Sequence, residues 1–149
     1  MALMSGMNIA PNWRTSDYSP RQDGGAASRH GHLCGSRALV EAASVIRGCA
    51  RETDVAARFG GDEFALVLPD TGSEGAIAVA ERVRERIAAY KFLKASDGLD
   101  IHLTASVGVA TLPDVAASAE ELIKAADTAM YRVKESGKNG VLLAREPIA

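Results

Sequence analysis

Two glycines and two carboxylates stand together in the run Gly60, Gly61, Asp62, Glu63, with Phe64 next. Paired glycines let a backbone come close to a bulky anion, because no Cβ intervenes. Paired carboxylates offer hard oxygen ligands, and a divalent cation held there would neutralise a phosphate. Neighbouring strand residues point to opposite faces, so Asp62 and Glu63 need not share one task. One can bind metal at the turn while the other anchors the hairpin or meets a second ion. Gly-Gly-Asp is also what an ordinary turn with solvated acids looks like, so its setting decides.

The setting is a chain of 149 residues, enough for one domain around one core. Hydrophobic residues make up 47% but aromatics only 5%, so the core rests on Ala, Val, Leu and Ile. A net charge of -2 gives no bulk attraction to a nucleic acid polymer or an anionic membrane. Any phosphate recognition must therefore be a local arrangement. Cys34 and Cys49 are too few for a disulfide scaffold or a zinc site and read as buried thiols in a reducing compartment. No apolar run approaches the ~20 residues that span a bilayer, and the first residues lack the basic start of a signal peptide. A cytoplasmic location with no membrane contact by this domain is the expectation, although a longer parent protein can be anchored elsewhere.

The elements that must position the run read as follows. Residues 1–30 are rich in Ser, Arg, Gly, Asn and Pro, lack sustained apolar periodicity and predict a mostly irregular segment. Leu39, Ala42, Ala43, Ile46 and Cys49 share one face of a helix over residues 36–50. Residues 55–59 and 64–68 are apolar strands, the second central, joined at Gly60 and Gly61 as a hairpin. Ser73 caps a helix with Ala76, Val79, Ala80, Val83 and Ile87 inward. Residues 101–111 form a strand in which His102, Thr104 and Ser106 alternate with Ile101, Leu103, Ala105 and Val107. Ser118 caps the last helix with Glu121 at the capping-box position. Gly137 ends that helix, and residues 141–143 make a last strand. The order α-β-β-α-β-α-β predicts an α+β fold, helices packed on a largely antiparallel sheet.

Several segments in this order carry a resemblance. They are Ala57-Arg58-Phe59-Gly60-Gly61-Asp62-Glu63-Phe64-Ala65-Leu66-Val67-Leu68-Pro69, Thr104-Ala105-Ser106-Val107-Gly108-Val109-Ala110, and Ala126-Asp127-Thr128-Ala129-Met130-Tyr131. Lys134-Glu135-Ser136-Gly137-Lys138-Asn139 closes the series and Gly31-His32 opens it. Residues 31–143 resemble the GGDEF family of diguanylate cyclases. The resemblance implies a nucleotide-cyclase, ferredoxin-like GGDEF fold, with the domain over residues 31–149.

It also implies an activity. Members of the family condense two GTP molecules into cyclic di-GMP with release of pyrophosphate, as a homodimer with one GTP in each subunit. Carried over by position, Gly60 and Gly61 cradle the phosphates. Asp62 and Glu63 are the catalytic and metal-binding acids for Mg2+ or Mn2+. Lys134 and Lys138 contact the terminal phosphates, sharing a face at i,i+4 if the helix persists that far; on their own they also fit simple compensation of a helix dipole. His32 falls at the nucleoside pocket. Arg51 and Asp54 fit the family's Arg-x-x-Asp product-inhibition motif, with Arg82 joining from a helix. The plain alternative is a surface ion pair worth ~0–1 kcal/mol.

Two departures from the family matter. The family's first strand carries Asp-x-Asp-x-Phe-Lys and then Asn-Asp. Counting back from Gly31 places Ser19 at the metal position, Gly24 at the lysine and Ala27 at the asparagine, so none matches. The first strand is therefore expected to be atypical or missing, and residues 1–30 resemble the product of a shifted reading frame or a wrong start. Ser36 stands where the family has an Asp that reads guanine. A hydroxyl both donates and accepts, and a Ser-bearing subset of the family also makes cyclic GMP-AMP; Ser36 also fits as the N-cap of the following helix. The alternatives to a cyclase are a catalytically degenerate receptor for cyclic di-GMP and a dimerisation module.

Overall fold

The computed structural model describes the backbone of residues 1–11 and 26–145, and side chains at residues 1–2 and 35–145. The elements run β1 (Ala2–Pro11), α1 (Ala26–Arg47), β2 (Val55–Arg58), β3 (Glu63–Leu68), α2 (Ser73–Ala89), α3 (Lys94–Asp97), β4 (Leu103–Thr111), α4 (Ala119–Glu135) and β5 (Gly140–Leu143). The five strands lie in the order β2-β3-β1-β4-β5. Every pairing is antiparallel except β4 with β5. The expected α+β class with a largely antiparallel sheet is what the chain adopts.

The first strand corrects the sequence reading. Residues 2–11 are not irregular: they form β1, the middle strand, paired to β3 from Ala2↔Leu68 to Asn8↔Glu63 and to β4 from Ala2↔Thr111 to Pro11↔Leu103. The boundary expected at residue 31 thus falls inside the folded unit. Two open strand edges each offer a row of backbone donors and acceptors, and whatever apolar segment fills the gap completes both ladders. Ala2, Leu3, Met4, Met7, Ile9 and Ala10 make this stretch apolar enough for a central strand, which needs no alternation. A register shift between Ser5 and Asn8 breaks the period that a sequence scan relies on. Residues 12–25 lie outside the described residues, and with them Ser19 and Gly24.

The two sheet faces are covered separately. Ala38, Ala42 and Ile46 of α1 and Ala76, Ala80, Val83 and Ile87 of α2 pack on Phe64, Leu66, Leu68, Leu103, Ala105, Val107 and Val109. Spacings of three and four residues put the α2 set on one stripe. Full burial of Val83 and Ile87 contributes about 1.5–3 kcal/mol each. Leu122, Ala125 and Ala126 of α4 cover the other face with Ala110, Val115 and Ala116. Thr104 and Ser106 are consequently buried, so β4 has no solvent face despite its polar alternation.

Helix ends differ in detail. Ser73 is the first residue of α2 and Gly72 its N-cap, with no side-chain cap bond. Ser118 does cap α4, accepting from the Glu121 N–H at 3.2 Å, while the Glu121 carboxylate accepts from the Ala117 N–H at 2.8 Å. Gly137, at φ 120°, ends α4, and the Lys138 N–H closes back onto the Val133 carbonyl at 2.9 Å. α1 starts ten residues before Ser36, which therefore is not an N-cap. The α3 turn has no periodic signal of its own. It is tied to α1 by the Arg37–Asp97 ion pair at 2.8 Å and by the Leu93 N–H donating to Glu41 at 2.8 Å.

Candidate functional site

The hairpin between β2 and β3 is closed by the Phe59 N–H donating to the Glu63 carbonyl at 2.9 Å, leaving Gly60, Gly61 and Asp62 in the turn. Neither glycine adopts a left-handed conformation, and a Cβ at either would meet nothing within 4 Å. The turn itself therefore makes no demand for glycine here. What glycine adds is an unobstructed backbone at an exposed tip.

Around the tip, three elements converge. Glu63 opens β3, and β1 runs beside it with Asn8 in register with Glu63. Across from them α4 brings Asp127, Thr128, Met130 and Tyr131, which together with Glu63 line an open depression of about 370 Å³. Asp62 and Glu63 are exposed, so their carboxylates are accessible to solvent. Asp127, Thr128 and Tyr131 belong to the family-like segment 126–131, to which the sequence by itself gives no role. Their signal was the helical spacing of Asp127 and Tyr131 on one face of α4. Lys134 continues that stripe three residues on, half-buried in the last turn. Lys138 does not: α4 ends at Glu135, and Lys138 sits beyond it at φ 64°. The shared helix face expected for the two lysines is replaced by a turn that swings Lys138 off the helix axis.

The other predicted residues fall in two places. Ser36 is exposed on α1, and the backbone of Gly31 and His32 lies in the same helix; the His32 side chain is outside the described residues. Arg51, Asp54 and Arg82 gather around the loop before β2. The Asp54 side chain is wholly buried and accepts from the Arg51 backbone N–H at 2.6 Å and from its guanidinium at 3.1 Å. Burial pushes the Asp54 carboxyl up, but the Arg51 N–H, the Arg51 guanidinium and Arg47 outweigh it and hold the pKa below the usual carboxylate range. Arg51 also donates to Thr71 Oγ1 at 2.7 Å and to the Pro69 carbonyl at 3.1 Å. Arg82 donates to the Cys49 carbonyl at 2.7 Å, so α2 is stapled to the same loop.

Among the described residues no three of His, Cys, Asp or Glu form a group able to hold a metal alone. Asp62 and Glu63 nevertheless suit a hard cation of the magnesium type. Such an ion commonly takes one or two carboxylates and fills its remaining positions with water and substrate phosphates.

A family profile described as "Diguanylate cyclase, GGDEF domain" matches residues 26–140. The chain belongs to the GGDEF family. Diguanylate cyclase A of Treponema denticola is 38% identical over 116 residues, which are 78% of this chain and 31% of that protein. Response regulator PleD of Caulobacter vibrioides is 34% identical over 112 residues, 75% of this chain and 25% of PleD. The chain thus spans less than a third of the length of these relatives. Among solved structures, the GGDEF domain of YfiN (TpbB) from Pseudomonas aeruginosa superposes with a TM-score of 0.78 at 29% identity, covering 97% of this chain and 82% of that one. The GGDEF domain of DgcB from Caulobacter crescentus, solved in complex with c-di-GMP, gives 0.74 at 26% identity, with coverage of 96% and 77%. The enzyme class of the GGDEF family is therefore that of the diguanylate cyclases. No helix among the described residues of this GGDEF domain is long and apolar enough to cross a membrane.

Proposed function

We propose that this GGDEF domain condenses two GTP molecules into cyclic di-GMP and releases pyrophosphate. The observation that carries the reading is the turn: two glycines in open space at an exposed tip, with no backbone need for them, directly before Asp62 and Glu63. Such a tip suits a phosphate that must approach the main chain.

In this reading Gly60 and Gly61 hold the phosphates of one GTP, and Lys134 and Lys138 meet the terminal phosphates. His32 and Ser36, carried over by position, serve the base. Asp62 and Glu63 hold Mg2+ or Mn2+, which when bound supplies neutralisation of phosphate charge. Asp62 is also the residue placed to accept the 3′-hydroxyl proton as that oxygen attacks the α-phosphate of the GTP in a second subunit. The new P–O bond forms as the bond to pyrophosphate breaks, and most of the rate comes from positioning the two nucleotides. Homodimerisation, a cytoplasmic setting and product inhibition at Arg51, Asp54 and Arg82 belong to the same reading.

One observation favours a second reading. β1 (Ala2–Pro11) fills the central strand position but contains no carboxylate, so it adds no acid beside Glu63. The Arg51–Asp54 loop, by contrast, is fully formed. A receptor that binds cyclic di-GMP at Arg51 without making it would look like this. Incubation with Mg2+ and labelled GTP separates the two. Cyclic di-GMP formation that disappears in Asp62→Ala supports the cyclase. No product, together with cyclic di-GMP binding lost in Arg51→Ala, supports the receptor.

A further inference from the structure

Arg58, the last residue of β2, is turned toward the glycine tip rather than away from it. Its Nε donates to the Gly60 carbonyl at 3.0 Å and its Nη2 to the Gly61 carbonyl at 2.5 Å. Its guanidinium carbon lies 5.9 Å from the centre of the Phe64 ring, and Phe64 is its cross-strand partner. Phe64 is 4% exposed and fixed in the core, so it offers a rigid shelf for the cation. Two donors on one edge of a planar guanidinium thus hold two successive carbonyls.

Two consequences follow from peptide geometry. In a trans peptide the C=O and the next N–H point in opposite directions. Fixing the Gly60 and Gly61 carbonyls on Arg58 therefore directs the N–H groups of Gly61 and Asp62 to the other side of the turn. Two glycines by themselves restrict their peptide orientations little, and a Cβ at either would meet nothing within 4 Å.

We propose that Arg58 is a positioning residue that sets the two glycine peptides of the tip so that their N–H groups face an incoming nucleotide phosphate. The proposal rests on the GTP-binding reading above and adds to it a side chain that acts through the turn. A charge-assisted hydrogen bond to each carbonyl leaves the guanidinium facing away from the ligand.

The test compares the wild-type chain with Arg58→Lys and Arg58→Met. Magnesium GTP affinity is measured in each, along with the backbone amide resonances of Gly61 and Asp62 before nucleotide is added; the melting temperature checks folding. Lysine keeps the charge but cannot hold two carbonyls in a fork. Both variants are expected to bind on the order of tenfold more weakly, about 1.4 kcal/mol, with the two amide resonances already displaced in the free protein. Arg58→Lys alone carries the test should Arg58→Met fail to fold. Affinity like wild type in Arg58→Lys overturns the proposal while the GTP reading stands. Weakened affinity with unmoved amide resonances also overturns it, since Arg58 would then touch the phosphate directly. Absence of GTP binding by the wild-type chain removes the functional reading and this inference together.

Discussion

Gly108 of β4 and Ala126 of α4 meet backbone to backbone: a Cβ at Gly108 would collide with the Ala126 carbonyl oxygen and stand 2.5 Å from the Met130 nitrogen. This contact lays α4 directly on the sheet. It also sets the height at which Asp127 and Tyr131 stand beside Glu63. Gly108→Ala must push the helix off the strand. A loss of about 1–3 kcal/mol is expected, the usual cost of overpacking, which lowers the melting temperature by about 2–4 °C per kcal/mol in a chain of this size. An unchanged melting curve would contradict the packing described.

Gly61 behaves in the opposite way. A Cβ there enters open space, and no left-handed φ has to be accommodated. Gly61→Ala should leave stability within about 0.5 kcal/mol of wild type, yet weaken magnesium GTP binding by roughly tenfold or more if the phosphate approaches the main chain. Calorimetric titration and thermal melting of the same sample read both effects. A stable variant with unaltered affinity would remove the glycines from the site.

Asp54 makes stability depend on acid. Its folded pKa lies below the unfolded value, so its contribution is complete above the unfolded pKa and is lost as pH falls through the folded one. Asp54→Asn should cost about 1.5–3 kcal/mol at neutral pH, the range for hydrogen bonds to a charged group. The gap between variant and wild type should be constant from about pH 5 to 8 and begin to narrow as the pH falls below about 4. Urea melts at pH 7 and pH 3 measure it; a gap as large at pH 3 as at pH 7 would assign the effect to shape rather than charge.

In the cyclase reading proposed above, Ser36 bears on base choice. It is exposed on α1 and lies ten residues inside that helix rather than at its N-cap. Ser36→Asp replaces a group that donates and accepts with one that only accepts when ionised. Competition by ATP against labelled GTP should drop in this variant, by about three- to tenfold for one hydrogen bond. Equal competition in both proteins would exclude Ser36 from the base pocket.

Much of this was legible before the structure. The apolar stripes of residues 76–87 and 122–133 have helical spacing, and their buried faces follow that spacing. Ser118 and Gly137 mark the ends of α4 because capping is a local matter of side-chain oxygen and positive φ. The hairpin at Gly60 and the α+β layout were equally plain. β1 was not, because a strand in the middle of a sheet needs no alternation and this one also carries a register shift. The burial of the polar side of β4 was not legible either, since only the position of α4 shows that Thr104 and Ser106 are covered.

By itself, the sequence determined the family, the order of the larger elements after β1 and the residue types at the tip, all of which depend on neighbours along the chain. Tertiary structure decided the rest, because it depends on residues far apart in sequence. It put β1 between β3 and β4, where two open ladders needed one strand. It swung Lys138 off α4 through a left-handed turn and set Asp127 and Tyr131 beside Glu63. Arg58 shows the division most clearly. Its place two residues before Gly60 can be read from the chain, but its grip on both glycine carbonyls, with the Phe64 ring 5.9 Å from the guanidinium carbon, shows only in the folded hairpin.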